Sequence, residues 1–291
     1  MINKVRNQVI LMKNNSKINE VVNMLKKLVN NRYSIALAGA HAKETADEQS
    51  DIDIYLFVDE TKPYQERLDI VKQFADSNRS VYVSKQFDEA PWGGSIDFYY
   101  QGTPIEVVIR TFVNVERRIK ECIQGTFEII PAAWTSNGYY TFIYLSELSF
   151  IIPLDDATEF IKHSKEQIKN YPLLLKKAII KRFYSRANVW LDNFHYISAI
   201  RRIDLLFTTP IVLHTILDMI QVIYALNEKY YMGDKKLQQA LEKLNYCPNL
   251  LIDNLQFLLS TTYNADYLGK QHQLLCMIRD DLKSEINKLM Y

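Results

Sequence analysis

Residues 38–54, Ala-Gly-Ala-His-Ala-Lys-Glu-Thr-Ala-Asp-Glu-Gln-Ser-Asp-Ile-Asp-Ile, constrain the fold most, because they set two carboxylates one residue apart just after a turn of small residues. Side chains of an extended strand alternate between faces, so Asp51 and Asp53 project to one side while Ile52 and Ile54 project to the other. One side is suited to a metal ion and the other must pack.

The flanking periodicities build a mixed domain around this stretch. Ile18, Val21, Val22, Leu25, Leu28 and Val29 recur at spacings of three and four, which predicts an amphipathic helix closed by Asn30 and Asn31. Tyr33–Ala38 reads as a short buried strand, 39–49 as a turn with a helical segment, and Asp51–Val58 as a second strand. Tyr64–Phe74 reads as a helix and 81–83 as a short strand. Ser95–Tyr100, Gln101-Gly102 and Thr103–Arg110 form a hairpin signal. A helix over 114–122 follows, with Asn114 as its N-cap.

After about residue 150 strand-like alternation gives way to helical spacing. Helices are expected over 156–169, 172–195, 197–208, 210–230, 234–244, 248–260 and 264–290. Pro172 and Pro210 suit first-turn positions, and Met232-Gly233-Asp234 suits a stop followed by an N-cap. The expected fold class is therefore α+β, an N-terminal mixed sheet flanked by helices and a C-terminal all-α bundle. The expected domains are 1–153 and 154–291, divided at Pro153–Asp156.

Composition narrows the function classes. With 35 Lys plus Arg against 34 Asp plus Glu, the chain has no global attraction for nucleic acid or an anionic membrane. Cys122, Cys247 and Cys276 are odd in number and lack Cys-x-x-Cys spacing, which argues against a disulfide framework or a structural zinc and for a cytoplasmic setting. No stretch is expected to reach the ~18 apolar residues of a spanning helix, so a soluble protein with no membrane partner is expected.

Strand, small-residue turn, helix, and a strand carrying Asp-x-Asp resembles the nucleotidyltransferase superfamily of DNA polymerase beta and the antibiotic nucleotidyltransferases. Gly39, Ala42, Ala46, Asp47, Ser50, Asp51, Ile52 and Asp53 match the family pattern without a gap. Three positions depart from it: Ala40 stands where Ser is usual, Lys43 where Arg is common and Glu44 where Gly is common. The missing hydroxyl at Ala40 removes one phosphate hydrogen bond, of a kind worth ~1.5–3 kcal/mol. His41 or Lys43 could replace it, although a solvated turn is the expected setting of both. Ile105-Glu106-Val107 fits the family's third carboxylate. A two-residue loop at Gln101-Gly102 would pair Asp97 with Glu106, and two acids facing each other call for a cation or a shared proton, which makes Asp97 the alternative third acid.

The resemblance implies catalytic and metal-binding roles for Asp51, Asp53 and Glu106, with magnesium bridging the phosphates of ATP or another nucleoside triphosphate. Glu106 would be either a third ligand or the general base. Gly39, Ala40, Lys43 and Ser50 would line the nucleotide. The segment Ala225–Lys236 resembles part of the helical domain of the antibiotic nucleotidyltransferases, which brings Lys235 or Lys236 to the phosphates and Tyr230 or Tyr231 to the base or acceptor. The implied activity is transfer of a nucleoside monophosphate, AMP from ATP, to a hydroxyl of a small molecule such as an aminoglycoside or lincosamide. The competing readings are nucleotidylation of a protein or tRNA, as in toxin–antitoxin systems, and a catalytically impaired nucleotide-binding protein. The implied partners are the nucleotide and a small-molecule acceptor, with the chain a monomer or homodimer.

Overall fold

The structure, a computed structural model, describes residues 16–86, 90–133, 135, 137–233 and 235–290; Trp134 and the expected cap Asp234 lie outside these. It divides into two compact units, 1–122 with 127–170, and 123–126 with 171–291. Within the first unit a helix α1 over 16–26 precedes β1 (Tyr33–Leu37), α2 (Gly39–Ala42), β2 (Ile52–Val58), α3 (Tyr64–Phe74) and β3 (Tyr82–Val83). Then come β4 (Gly94–Tyr100), β5 (Thr103–Thr111), α4 (Phe112–Ile123), β6 (Ile129–Ile130), β7 (Tyr139–Tyr140), α5 (Ile143–Phe150), β8 (Ile152–Asp155) and α6 (Phe160–Gln167).

Six strands form one sheet in the order β3-β4-β5-β2-β1-β8, with β2 and β5 parallel and the other neighbours antiparallel. Period-two alternation divides its faces. Ile52, Ile54, Leu56, Ile96, Ile105, Val107 and Ile109 join Ile18, Val21, Leu25 and Leu28 of α1 in one buried cluster. Asp53 and Glu106, one residue out of phase with those apolar positions, project from the opposite face. The mixed α/β architecture with a helical second half is the one expected from periodicity.

The hairpin register is fixed by its loop. Gln101 and Gly102 have φ values of +48° and +75°, the double left-handed conformation of a tight two-residue turn. Their N–H groups donate to the Asp76 carboxylate at 2.9 and 2.8 Å. Tyr100 pairs with Thr103, and counting outward places Asp97 opposite Glu106.

Two boundaries differ from the sequence expectation. Residues 152–155 are not a linker: β8 pairs with β1 as an edge strand, and Ser34, Asp156 and Thr158 hydrogen-bond behind it, so the first unit continues to Asn170. Near the start of the chain's fourth helix, Thr111 Oγ1 accepts the Asn114 N–H at 3.2 Å, so α4 begins two residues before Asn114.

The second unit comprises α7 (Leu173–Leu191), α8 (Phe194–Arg202), α9 (Leu205–Leu226), α10 (Leu237–Leu241), α11 (Asn249–Asp253), α12 (Leu255–Leu259) and α13 (Ala265–Met290). Pro210 lies inside α9, not at its first turn, because Asp204 caps the helix earlier by accepting the Phe207 N–H at 3.3 Å while Ile203 turns the chain with φ +58°. A proline has no N–H to lose near a helix start, where the first N–H groups lack intrahelical acceptors, but at Pro210 one backbone bond of α9 is missing. Contrary to the sequence expectation, α9 is long and apolar enough to cross a membrane, with 61% of its most apolar window buried within the protein.

Asp218 is the acid in the middle of α9, only 4% exposed, with Arg186 Nε 3.2 Å from its Oδ2. Burial pushes its carboxyl up to about 7 against the opposing pull of Arg186 and Arg182. The folded chain therefore holds this proton more tightly than the unfolded chain, and stability falls as pH rises from the ordinary carboxylate range through about 7. Asp218→Asn is expected to raise the melting temperature at pH 8 and to lose that advantage by pH 4, measured by calorimetry across the pH range. An advantage independent of pH would contradict this account.

Candidate active site

Asp51, Asp53 and Glu106 come together at one end of β2 and β5, with one carboxylate oxygen from each lying within 4.8 Å of the others. Parallel pairing of β2 with β5 puts Asp53 directly beside Glu106, and alternation brings Asp51 to the same side. Three carboxylates this close repel one another unless a cation lies among them, and oxygen-only donors match a hard divalent ion such as magnesium.

The turn at the end of β1 is fitted to this cluster. Gly39 has φ +55°, and a Cβ placed on it would stand 1.5 Å from Asp53 Oδ2. Only glycine allows both the left-handed backbone and the close approach to the carboxylate. The Ala38 N–H donates to the Asp53 carbonyl at 2.8 Å, tying the turn to the strand that carries the acids. Ala40 follows, and its carbonyl accepts the Thr45 N–H at 2.9 Å.

Other residues expected at a nucleotide take distinct positions. Ser50 Oγ donates to Asp47 Oδ1 at 3.0 Å and accepts the Asp47 N–H at 2.8 Å, so its hydroxyl closes the loop that delivers Asp51. Lys43 Nζ lies 4.2 Å from the centroid of the Phe150 ring, a cation–π contact. Glu44 adopts φ +56°, which accounts for the glycine common at this position of the family pattern. His41 is not a solvated turn residue: it is 3% exposed, and burial lowers its imidazole despite the opposing charge of Asp51. Asp97 faces Glu106 across the hairpin but lies outside the three-carboxylate cluster, and desolvation raises its carboxyl. Lys235 and Lys236 belong to the second unit, exposed on the turn before α10, where Lys236 has φ +57°.

Sequence reasoning missed a buried arginine on the acidic face. Arg110, two alternations along β5 from Glu106, is 1% exposed and reaches Glu147 of α5 at 2.7 Å. Its Nε donates to the Trp92 carbonyl at 2.6 Å, and its guanidinium lies 3.8 Å from the Tyr144 ring centroid. Burial alone favours the neutral form, but Glu147 and the flanking tyrosine hydroxyls outweigh it and hold the guanidinium charged. The signal was an arginine directly after the apolar run Val107-Val108-Ile109.

The family model "Nucleotidyltransferase domain" matches residues 18–89, which span α1, the Gly39 turn, both aspartates and β3. Over this segment the chain is similar to a nucleotidyltransferase domain. Glu106 and Asp97 lie beyond the matched segment and join it through the pairing of β5 with β2 and of β4 with β5. A crystal structure of a nucleotidyltransferase-like protein from Exiguobacterium sibiricum 255-15 aligns with 99% of this chain and 78% of its own, at 9% identity and a TM-score of 0.45. No curated protein matches the chain in sequence.

Gly39→Ala is expected to displace the Asp53 carboxylate and weaken magnesium or manganese binding at least tenfold in calorimetry, with the fold retained in circular dichroism. Unchanged affinity would show that the turn does not shape the site. Arg110→Ala leaves Glu147 without its cation and is expected to cost about 3–5 kcal/mol in denaturant unfolding, the range for breaking one side of a buried ion pair. A loss below about 1 kcal/mol would contradict the role given to this pair.

Proposed function

We propose that the protein is a magnesium-dependent nucleotidyltransferase that moves a nucleoside monophosphate, AMP from ATP, to a hydroxyl of a small molecule. The convergence of Asp51, Asp53 and Glu106 beside the Gly39 turn carries this reading. The domain match supports nucleotidyl transfer in general; the choice of ATP and of a small acceptor rests on the resemblance to the antibiotic nucleotidyltransferases. Aminoglycosides and lincosamides are the acceptors that this resemblance names.

Asp51 and Asp53 would hold magnesium, and Glu106 would be a third ligand or the base. Magnesium bound there supplies charge neutralisation for a triphosphate and its leaving pyrophosphate. The residues themselves do the rest. Gly39 keeps side-chain bulk away from the carboxylates, and the first N–H groups of the short helix that follows have no intrahelical acceptor to engage. Glu106, the most exposed of the three acids, is open to an incoming hydroxyl and is suited to take its proton. Ala40 offers no hydroxyl, so backbone N–H groups carry the phosphate contacts at this position.

Calorimetry with ATP and magnesium, and label transfer from ATP labelled at the α-phosphorus, test the reading. Asp51→Asn and Asp53→Asn are each expected to reduce transfer at least a hundredfold while the fold persists. Glu106→Gln is expected to lower kcat by about 10²–10⁴, the range for loss of a general base. Wild-type transfer rates in the two aspartate variants would refute the metal site, and label appearing on protein or tRNA in place of a small acceptor would refute the acceptor class.

A further inference from the structure

The second unit contains a pocket of about 360 Å³ between α7 and α9, remote in sequence from the acidic cluster and using none of its residues. Its walls combine the apolar surfaces of Val189, Trp190, Pro210 and Ile211 with the polar groups of Arg186, His214, Thr215 and Asp218. The volume falls within the ~300–1,000 Å³ usual for small-ligand sites, and an apolar lining with a few convergent polar groups is their usual chemistry.

The polar groups define what can occupy it. Asp218 is buried in the long apolar helix α9, a costly position for a carboxylate that its pairing with Arg186 offsets. Arg186 meets it through Nε at 3.2 Å and is itself 37% exposed in its side chain, so the two groups line the pocket side by side, an acceptor next to a fork of donors. Arg182 adds a second positive charge near Asp218. A cationic ligand would face two guanidiniums, and a purely anionic one would face a buried carboxylate. An uncharged group with hydrogen-bond donors and acceptors on one edge satisfies both. Three residues further along α9, outside the pocket lining, Gln221 is 2% exposed, and its Nε2 has no protein hydrogen-bond partner among the described residues.

The apolar wall adds shape. Trp190 is held edge-on by Phe207, with ring centroids 5.5 Å apart, and remains partly exposed at the pocket. A fixed indole of this kind is a stacking platform for a flat ring.

We propose that this pocket binds a planar, uncharged heterocycle of the nucleobase type, stacked on Trp190 with its donor edge on Asp218 and its acceptor edge on Arg186. Guanine presents N1–H and N2–H₂ beside O6, and adenine presents N6–H₂ beside N1, so either edge fits the pair. The pocket would then hold a base with none of the residues of the acidic cluster, and binding would need neither phosphate nor metal.

Guanosine and adenosine are the probes, titrated separately at pH 8, above the range in which Asp218 holds its proton, into the full-length protein in EDTA and followed by calorimetry. At least one is expected to bind. Trp190→Leu is expected to weaken that binding about tenfold, the ratio that loss of a base-stacking contact gives, and Arg186→Gln about tenfold through loss of a charged hydrogen-bond donor. Should Trp190→Leu fail to fold, Val189→Trp tests the same point, because Val189 is 56% exposed at the pocket and a larger ring there blocks entry. Gly39→Ala and Asp53→Asn are expected to leave nucleoside binding unchanged, which separates this proposal from the fate of the acidic site. The proposal is overturned if neither nucleoside binds, if binding survives Arg186→Gln and the pocket-filling variant, or if Gly39→Ala abolishes it.

Discussion

Electrostatic crowding at one end of β2 is the constraint on which the N-terminal unit depends. Three carboxylates with oxygens within 4.8 Å of one another raise the energy of the folded chain unless a cation joins them, so the surrounding sheet must be stable enough to hold them in place. The parallel pairing of β2 with β5 supplies the frame, since it fixes Asp53 beside Glu106 and sends Ile52, Ile54, Ile105 and Val107 into the core beneath α1. The same alternation that buries the isoleucines exposes the acids. Packing and chemistry are thus two faces of one register, and a slip of one residue would lose both.

The turn at Gly39 completes that frame. Its left-handed backbone and its contact with Asp53 leave no room for a side chain, while the Ala38-to-Asp53 hydrogen bond binds turn and strand together. Ser50 and Asp47 brace the other approach, so Asp51 arrives on a closed loop. Further back on the acidic face, the Arg110–Glu147 pair draws α5 onto the sheet behind the carboxylates. These contacts preorganise the acids, which matters because a site that must assemble around its metal pays for that ordering on every binding event.

Much of this was legible in the sequence because it follows from local rules. The Asp-x-Asp strand and the Gln101-Gly102 hairpin with Asp97 opposite Glu106 follow from period-two alternation and turn chemistry, while the choice of Glu106 as a third acid came from the family resemblance. What escaped depends on contacts distant along the chain. An arginine after the apolar run Val107-Val108-Ile109 carries no local sign that it will meet Glu147, 37 residues later, as counted from their positions. Ser50, expected to line the nucleotide, gives its hydroxyl to Asp47, a partner three residues back that the motif does not announce. Pro210 reads as a helix start because proline favours that position, but the Asp204 cap and the left-handed Ile203 begin α9 before it. The edge strand β8 was hidden for a related reason: four residues with Pro153 among them have strand character only because β1 offers an edge to pair with.

The central claim is that Asp51, Asp53 and Glu106 together hold one divalent-cation site that serves a nucleotide. A crystal soaked in manganese with a non-hydrolysable ATP analogue, read by anomalous scattering, addresses it most directly. The account predicts an anomalous peak within coordinating distance of all three carboxylates, with analogue phosphate oxygens on the same ion. A peak elsewhere, or analogue density with no metal among these acids, would contradict it.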